Sequence, residues 1–314
     1  MVADQGNVVV DGCLGGGADR ISDLPDHLLH RILICLPSTD DAARSSVLSR
    51  RWRRVWTHLP ELSLRYCSPE RVDAALAAWS APVLRRLEIA LSCESRHVTA
   101  EHVCSWLQFA AERLAGELYL SLPLHGELVL PVRGRFTAIS LDPAVGVRLR
   151  LRFQLRHAGG VFTALAALTI KPARMENRKL EEMVSSRCSL LKELLLENII
   201  LLSRHHILSI QSDSLEKLRV VAYDMFYDGP LKVATPELQE LSLCLSGDGI
   251  DDAHIISSPT SSPRCAGAIS TIAGVTNWWR PGAISQPVRL AGSYLLTGLC
   301  ERKILFRLKI YDRL

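Results

Sequence analysis

No Cys-x-x-Cys pair occurs among the nine cysteines of this 314-residue chain, which are scattered at positions 13, 35, 67, 93, 104, 188, 244, 265 and 300. Thiolate zinc sites and redox-active dithiols both need close pairs, so the pattern predicts separate, reduced thiols and an intracellular setting. The Asn-x-Ser/Thr sequon is also missing, and the start MVADQGNVVV has neither the basic segment nor the long apolar run of a secretory signal. The longest apolar stretch, Leu190 to Leu202, is broken by Lys192, Glu193, Glu197 and Asn198, too short and too charged to span a bilayer. Gly15-Gly16-Gly17 lacks the following Lys-Ser or Lys-Thr of a phosphate loop. Charge of one sign is not in excess either: 37 basic residues stand against 33 acidic, a net +4 that gives no reason to expect nucleic acid. With 48% hydrophobic residues the chain must nevertheless bury a core, in one large domain or two.

Catalytic groupings are likewise missing. A nucleophile beside a base, a metal cluster or a phosphate cradle would each need convergent spacing, and none occurs. His205 and His206 are adjacent and point apart, His97 and His102 stand five apart around a helix start, and Asp251-Asp252 lies in a loose, polar stretch. The expectation is a protein without catalytic residues, metal or cofactor.

What is present begins at Asp19. Pro25 suits a first helical position, and Leu28, Leu29, Ile32, Leu33, Cys35 and Leu36 then fill an arc of roughly 160° at ~100° per residue. Ile34 falls among His27 and His30 on the opposite side. Ser38 and Thr39 can cap a second helix, with Asp40 and Asp41 at its positive end and Ala42, Ala43, Val47 and Leu48 on its inner face. Ser49 can cap a third, in which Trp52, Val55 and Trp56 share one side while Arg50, Arg51, Arg53 and Arg54 lie largely outside. That basic run suits a solvated or partner-facing helix side, with a nuclear-import or nucleic-acid patch as the alternative. Three helices in under ~50 residues rarely fold alone, and helix one carries more apolar surface than so small a unit can cover.

The order Leu24-Pro25-Asp26, Leu28-Leu29, Ile32-Leu33, Leu36-Pro37, Ala42-Ala43, Val47-Leu48-Ser49, Arg51-Trp52-Arg53 and Val55-Trp56 resembles an F-box, particularly of the plant type joined to leucine-rich repeats. The resemblance covers residues 19 to about 64. It implies that these helices dock on a Skp-type adaptor, which ties the chain to a cullin and a RING subunit, through Leu24, Pro25, Leu28, Leu29, Ile32, Leu36, Pro37, Val47 and Trp52.

A second pattern returns along the chain. Leu59-x-x-Leu62-x-Leu64 is followed by similar copies with middle residues at 87, 118, 139, 168, 194, 218 and 241. The steps of 25, 31, 21, 29, 26, 24 and 23 lie in the range of leucine-rich repeats with some insertion. Alternate apolar residues of each short strand should point inward, and the intervening segments should return along the outside. Helical periodicity after Ser68-Pro69, after Thr99 and around Leu180, Met183 and Val184 predicts helices in three of those segments. The asparagine common after strands of other leucine-rich repeats is missing from most copies, and Cys188-Ser189 stands where Cys-Pro is frequent. On the concave side the residues between inward leucines form a column of mixed charge: Glu193, Leu195, Glu197, Lys217, Arg219, Val221, Glu240, Ser242 and Cys244. Glu193, Lys217, Arg219 and Glu240 are its candidates for target binding.

The pattern stops at Gly247, where Ser, Pro, Gly, Ala and Thr dominate, although Trp278-Trp279 could serve as a short recognition element. Alternation at the far end suits one strand over 303–311. The expected organisation is therefore mixed α/β: a flexible leader over 1–18 and a three-helix F-box over 19–60. A repeat arc over 61–246 follows, with parallel strands inside and helices outside, and then an irregular tail over 247–314. The expected function is a non-catalytic substrate receptor of an SCF-type cullin–RING ubiquitin ligase, in the cytoplasm or nucleus, with an unidentified protein target and neither nucleic acid nor membrane as partner. The alternative is a leucine-rich-repeat interaction module that does not assemble a ligase.

Overall fold

The computed structural model describes residues 21, 23–92, 98–131, 133–143, 149–154, 162–202, 208–223, 231–246, 255–257, 299–300 and 303–309. The leader over 1–18, His97, His205-His206, Asp251-Asp252 and Trp278-Trp279 lie outside them. Helices α1 (Asp26–Ile34), α2 (Thr39–Arg44) and α3 (Trp52–Val55) form the N-terminal unit, with 3₁₀ turns at Ser45–Val47 and Trp56–His58. Then come β1 (Glu61–Arg65), α4 (Pro69–Ala78), β2 (Leu84–Ala90), α5 (Ala100–Arg113), β3 (Leu114–Ser121), β4 (Gly126–Pro131), β5 (Ala138–Leu141), β6 (Leu149–Gln154), β7 (Ala167–Ile170) and β8 (Ala173–Met175). After α6 (Asn177–Glu182) and a π turn follow β9 (Glu193–Glu197), β10 (Ile199–Leu201), β11 (Leu208–Gln211), β12 (Lys217–Tyr223), β13 (Leu231–Ala234), β14 (Glu240–Ser246), β15 (Ile255–Ser257), β16 (Leu299–Cys300) and β17 (Lys303–Lys309).

One long sheet organises the chain, in the order β1-β2-β3-β5-β7-β9-β12-β14-β17-β16, parallel from β1 to β14. Its register is simple: Leu62, Leu87, Leu118, Ile139, Leu168, Leu194, Leu218 and Leu241 occupy one rung. Each is 2% exposed or less, so the rung is a continuous apolar spine. One turn of chain ends where the next begins, because each returning segment is long enough to cross the layer once.

The outer layer departs from the expectation of helices throughout. Helices α4, α5 and α6 cover part of it, but β10-β8-β6-β4 form a second parallel sheet and β11-β13-β15 a third. The reason is periodicity: in β4 and β6, buried Leu128, Leu130, Leu149, Leu151 and Phe153 alternate with outward residues such as Val129, Arg150 and Arg152. A period of two fits a strand and cannot form a helical stripe. The apolar core lies between this layer and the spine, anchored by the fully buried Phe136 and Phe162, whose rings stand 6.1 Å apart.

The strand expected over 303–311 runs over 303–309 and pairs antiparallel with β14, extending the long sheet. At the other end the helical unit is fastened to β1: the Ser63 amide donates to Thr39 Oγ1 at 2.7 Å, and Asp40 pairs with Arg71 of α4. Trp79 reaches back to donate its indole N–H to the Leu59 carbonyl at 2.9 Å.

Candidate functional site

Two surfaces carry side chains that the fold does not need for itself. The first is on the helical unit. Leu29 and Leu33, four residues apart, are 0% and 3% exposed and face Ala42, Trp52 and Val55. With that side of α1 committed to the core, its neighbours turn outward: Leu28 is half-buried, and Ile32, Ile34 and Leu36 are 43%, 37% and 36% exposed. Leu29 and Trp52, expected among the adaptor contacts, are thus core residues, because a side chain facing Ala42 and Val55 has no surface left for a partner. Leu24 is half-buried against the core, while Pro25 and Pro37 are exposed.

Val47 and Leu48 correct another expectation. Their spacing predicts the inner face of helix two, but α2 ends at Arg44, and the 3₁₀ turn after it rotates both outward, to 86% and 65% exposure. A tighter turn advances each residue by ~120° instead of ~100°, enough to move an inward position out. The Ser38 hydroxyl caps α2 by accepting from the Asp41 amide at 3.3 Å, as its position suggested.

The arginine run contains a residue whose role the spacing did not reveal. Arg51 is half-buried and reaches across to α1, pairing with Asp26 at 2.5 Å and donating to the Leu24 carbonyl. The guanidinium hydrogen bond holds the Asp26 carboxyl below its usual range. Arg50, Arg53 and Arg54 remain exposed.

The second surface is the face of the long sheet opposite the apolar core, built from the residues between the spine positions. At its N-terminal end Glu88, 5% exposed overall, accepts from Arg65 at 2.7 Å and from the Ser63 hydroxyl at 3.2 Å, with Arg86 at 3.7 Å. Arg86 also reaches Glu117 at 3.5 Å. Further along, Asp142 accepts from the Tyr119 phenol at 3.2 Å and from Lys171 at 2.9 Å. Burial and then the Asp142 charge push the Tyr119 phenol up, and the hydrogen bond to Asp142 raises the Lys171 ammonium.

Lys217 and Glu193 pair at 2.5 Å on neighbouring strands, and that bond raises the Lys217 ammonium. Arg219 is exposed and forms no ion pair with any described residue, and Glu240 is half-buried. The nine-residue column is interrupted, because Val221 and Ser242 are 3% and 7% exposed. Glu88, Tyr119, Asp142 and Lys171 were missed by the reading of the sequence, although the spacing that singled out Glu193 and Lys217 applies equally to the earlier copies. Both surfaces are fit for binding by packing and charge pairing. Among the described residues, no three His, Cys, Asp or Glu side chains converge on a metal position, and no helix is long and apolar enough to cross a membrane.

The F-box domain family matches residues 21–64. Among curated proteins of Arabidopsis thaliana, F-box/LRR-repeat protein 25 is 38% identical over 106 residues, covering 33% of this chain and 40% of that one. Another F-box/LRR-repeat protein is 38% identical over 106 residues, covering 33% of this chain and 22% of its own length. A protein named for an F-box, an FBD and leucine-rich repeats is 25% identical over 257 residues, 78% of this chain and 56% of the other. The chain therefore spans less than two thirds of each of these relatives. No solved structure matches it.

Proposed function

We propose that this chain, whose residues 21–64 match the F-box domain family and which is similar to plant F-box/leucine-rich-repeat proteins, is the non-catalytic substrate-recognition subunit of an SCF-type cullin–RING ubiquitin ligase. The observation that carries the proposal is the two-sidedness of the helical unit. Its core is closed by Leu29, Leu33, Ala42, Trp52 and Val55, yet Ile32, Ile34, Leu36, Val47 and Leu48 stay in water. A concentration of exposed aliphatic groups on a unit this small is the mark of a surface with a partner. We assign the Skp-type adaptor to it, with Pro25, Leu28, Ile32, Leu36, Pro37 and Val47 in contact, Leu24 at the margin, and Leu29 and Trp52 supporting from beneath. The ladder is then a leucine-rich-repeat arc that holds a protein target on its concave face, Glu193, Lys217, Arg219 and Glu240 among the contacts. The cytoplasm or nucleus is where such a complex would act.

Val47→Asp and Ile32→Asp test the assignment. Both positions are open to water in the free chain, so a carboxylate there leaves the fold alone, but burying it unpaired under an adaptor costs several kcal/mol. About 4 kcal/mol is roughly a thousandfold in affinity. Co-purification of the wild-type chain with a Skp-type adaptor, lost in either variant while circular dichroism stays unchanged, is the expected result. Adaptor retained by both folded variants would reject the assignment, and a wild-type chain that binds no adaptor would leave a repeat module outside any ligase.

A further inference from the structure

The arginines of the helical unit are divided between two duties. Residues 21–60 hold six arginines and four aspartates. Arg51 is bound to Asp26, and Arg44 reaches Asp40 at 3.3 Å and Asp41 at 3.8 Å, with Arg71 of α4 adding to Asp40. Three of the four carboxylates are thereby engaged, which leaves exposed Asp23. Arg31, Arg50, Arg53 and Arg54 are all exposed as well, and none of them has a carboxylate partner among the described residues.

These cations stand beside the exposed aliphatic groups. Arg53 turns back to donate to the Ser46 carbonyl at 3.4 Å, next to Val47, and Arg50 follows Leu48 by two residues. On α1, Arg31 lies three residues after half-buried Leu28 and four before exposed Cys35, spacings that put all three on one side. The arrangement is an apolar centre with a basic rim, and an apolar centre within a polar rim is how protein–protein interfaces are built.

We infer that the adaptor docking on this patch carries carboxylates around its own apolar contact, and that Arg31, Arg50 and Arg53, with Arg54 beside them, steer it into place. The inference rests on the reading of the patch as the adaptor surface and adds the charge of the partner and the step at which that charge acts. Guanidinium groups open to water gain little from any single ion pair. Four like charges without carboxylate partners nevertheless set up a field that reaches about one Debye length, ~10 Å at 0.1 M salt, and raise the rate of encounter with an acidic surface. The rim should therefore act on association more than on dissociation. A protein is favoured over nucleic acid because Val47 and Leu48, 86% and 65% exposed, interrupt the arginines, and a phosphate backbone following the run would leave both in water.

The test uses the full chain and a purified Skp-type adaptor, with association and dissociation followed by stopped-flow fluorescence from about 50 to about 500 mM salt. The expected result is a wild-type on-rate that falls about tenfold or more across that range while the off-rate changes less than about twofold. Arg50→Glu combined with Arg53→Glu should slow association at low salt at least about fivefold and flatten its salt dependence. Arg31→Glu, on a different helix, should slow it about twofold or more, so the outcome does not hang on the folding of one variant. Arg150→Glu, exposed on β6 in the outer layer, should leave both rates unchanged. Circular dichroism checks that each variant is folded. An on-rate indifferent to salt, or unchanged in the folded Glu variants, would overturn the inference, as would an effect confined to dissociation. Single-stranded DNA bound by the wild-type chain and lost in the same variants, with adaptor association unchanged, would overturn it in favour of a nucleic-acid patch. A wild-type chain that binds no adaptor removes the ligase reading and this inference with it, whereas adaptor binding with a salt-independent on-rate speaks against this inference alone.

Discussion

Replacing Leu194 by alanine removes an isopropyl group from the middle of the apolar spine. The side chain is 1% exposed and lies on the rung between Leu168 and Leu218, themselves 1% and 0% exposed. Lost transfer free energy at ~0.8 kcal/mol per buried carbon comes to about 2.4 kcal/mol. The cavity adds to this, because β7 and β12 are held in place by backbone hydrogen bonds and cannot close in fully; the total should be about 3 to 4 kcal/mol, within the usual ~2 to 5. For a folded region of this size, with each kcal/mol worth ~2 to 4 °C, the melting temperature should fall by about 6 to 16 °C. The contrast is Lys192→Ala, two residues away. Its ion pair with Glu216 is short, 2.7 Å, but the lysine is 58% exposed, so its loss should cost under about 1 kcal/mol. Thermal unfolding followed by circular dichroism, with urea midpoints as a second scale, separates the two. A larger loss from Lys192→Ala than from Leu194→Ala would refute the register.

Three further outcomes follow from local geometry. Gly116→Ala should destabilise the junction of β2 and β3 by about 2 kcal/mol or more, since a Cβ there would stand 1.9 Å from the Arg85 carbonyl oxygen, and a melting temperature at or above wild type would contradict the close approach. Tyr66, 83% exposed at φ +53°, is held in the left-handed region, so Tyr66→Gly should raise stability by about 1 kcal/mol in the same assay, and a loss would mean that the exposed ring packs on something. Cys188 is 1% exposed, and burial pushes its thiol up to about 12, so at pH 8 a maleimide should label exposed Cys35 and Cys104 within minutes and spare Cys188 until urea unfolds the chain; equal labelling rates in the native state would refute its burial.

The spine was legible because it is a local pattern repeated: a leucine two residues from another apolar residue already implies a strand with one buried face, and its recurrence every two dozen residues implies stacking. The Ser38 cap and the separation of Leu29 and Leu33 from the polar side of α1 are equally local. The outer strands are also written in the chain, as the alternation of buried and exposed residues in β4 and β6, a weaker signal than the recurring leucines. Val47 could not be placed, because whether a helix continues or tightens at Ser45 is decided by what it packs against.

What the amino-acid sequence by itself determined is the pair of periodicities, 3.6 residues in the first helix and two in the strands, and with them the apolar faces that had to be buried. Tertiary structure alone decided which charges meet. Arg51 and Asp26 are 25 residues apart, Tyr119 and Asp142 are 23, and Lys217 and Glu193 are 24, separations that carry no signal until stacking brings successive turns within ~5 Å of each other. The same holds for β17, which reaches β14 from about sixty residues further along, because an unpaired edge of a long sheet accepts whichever strand the rest of the chain delivers to it.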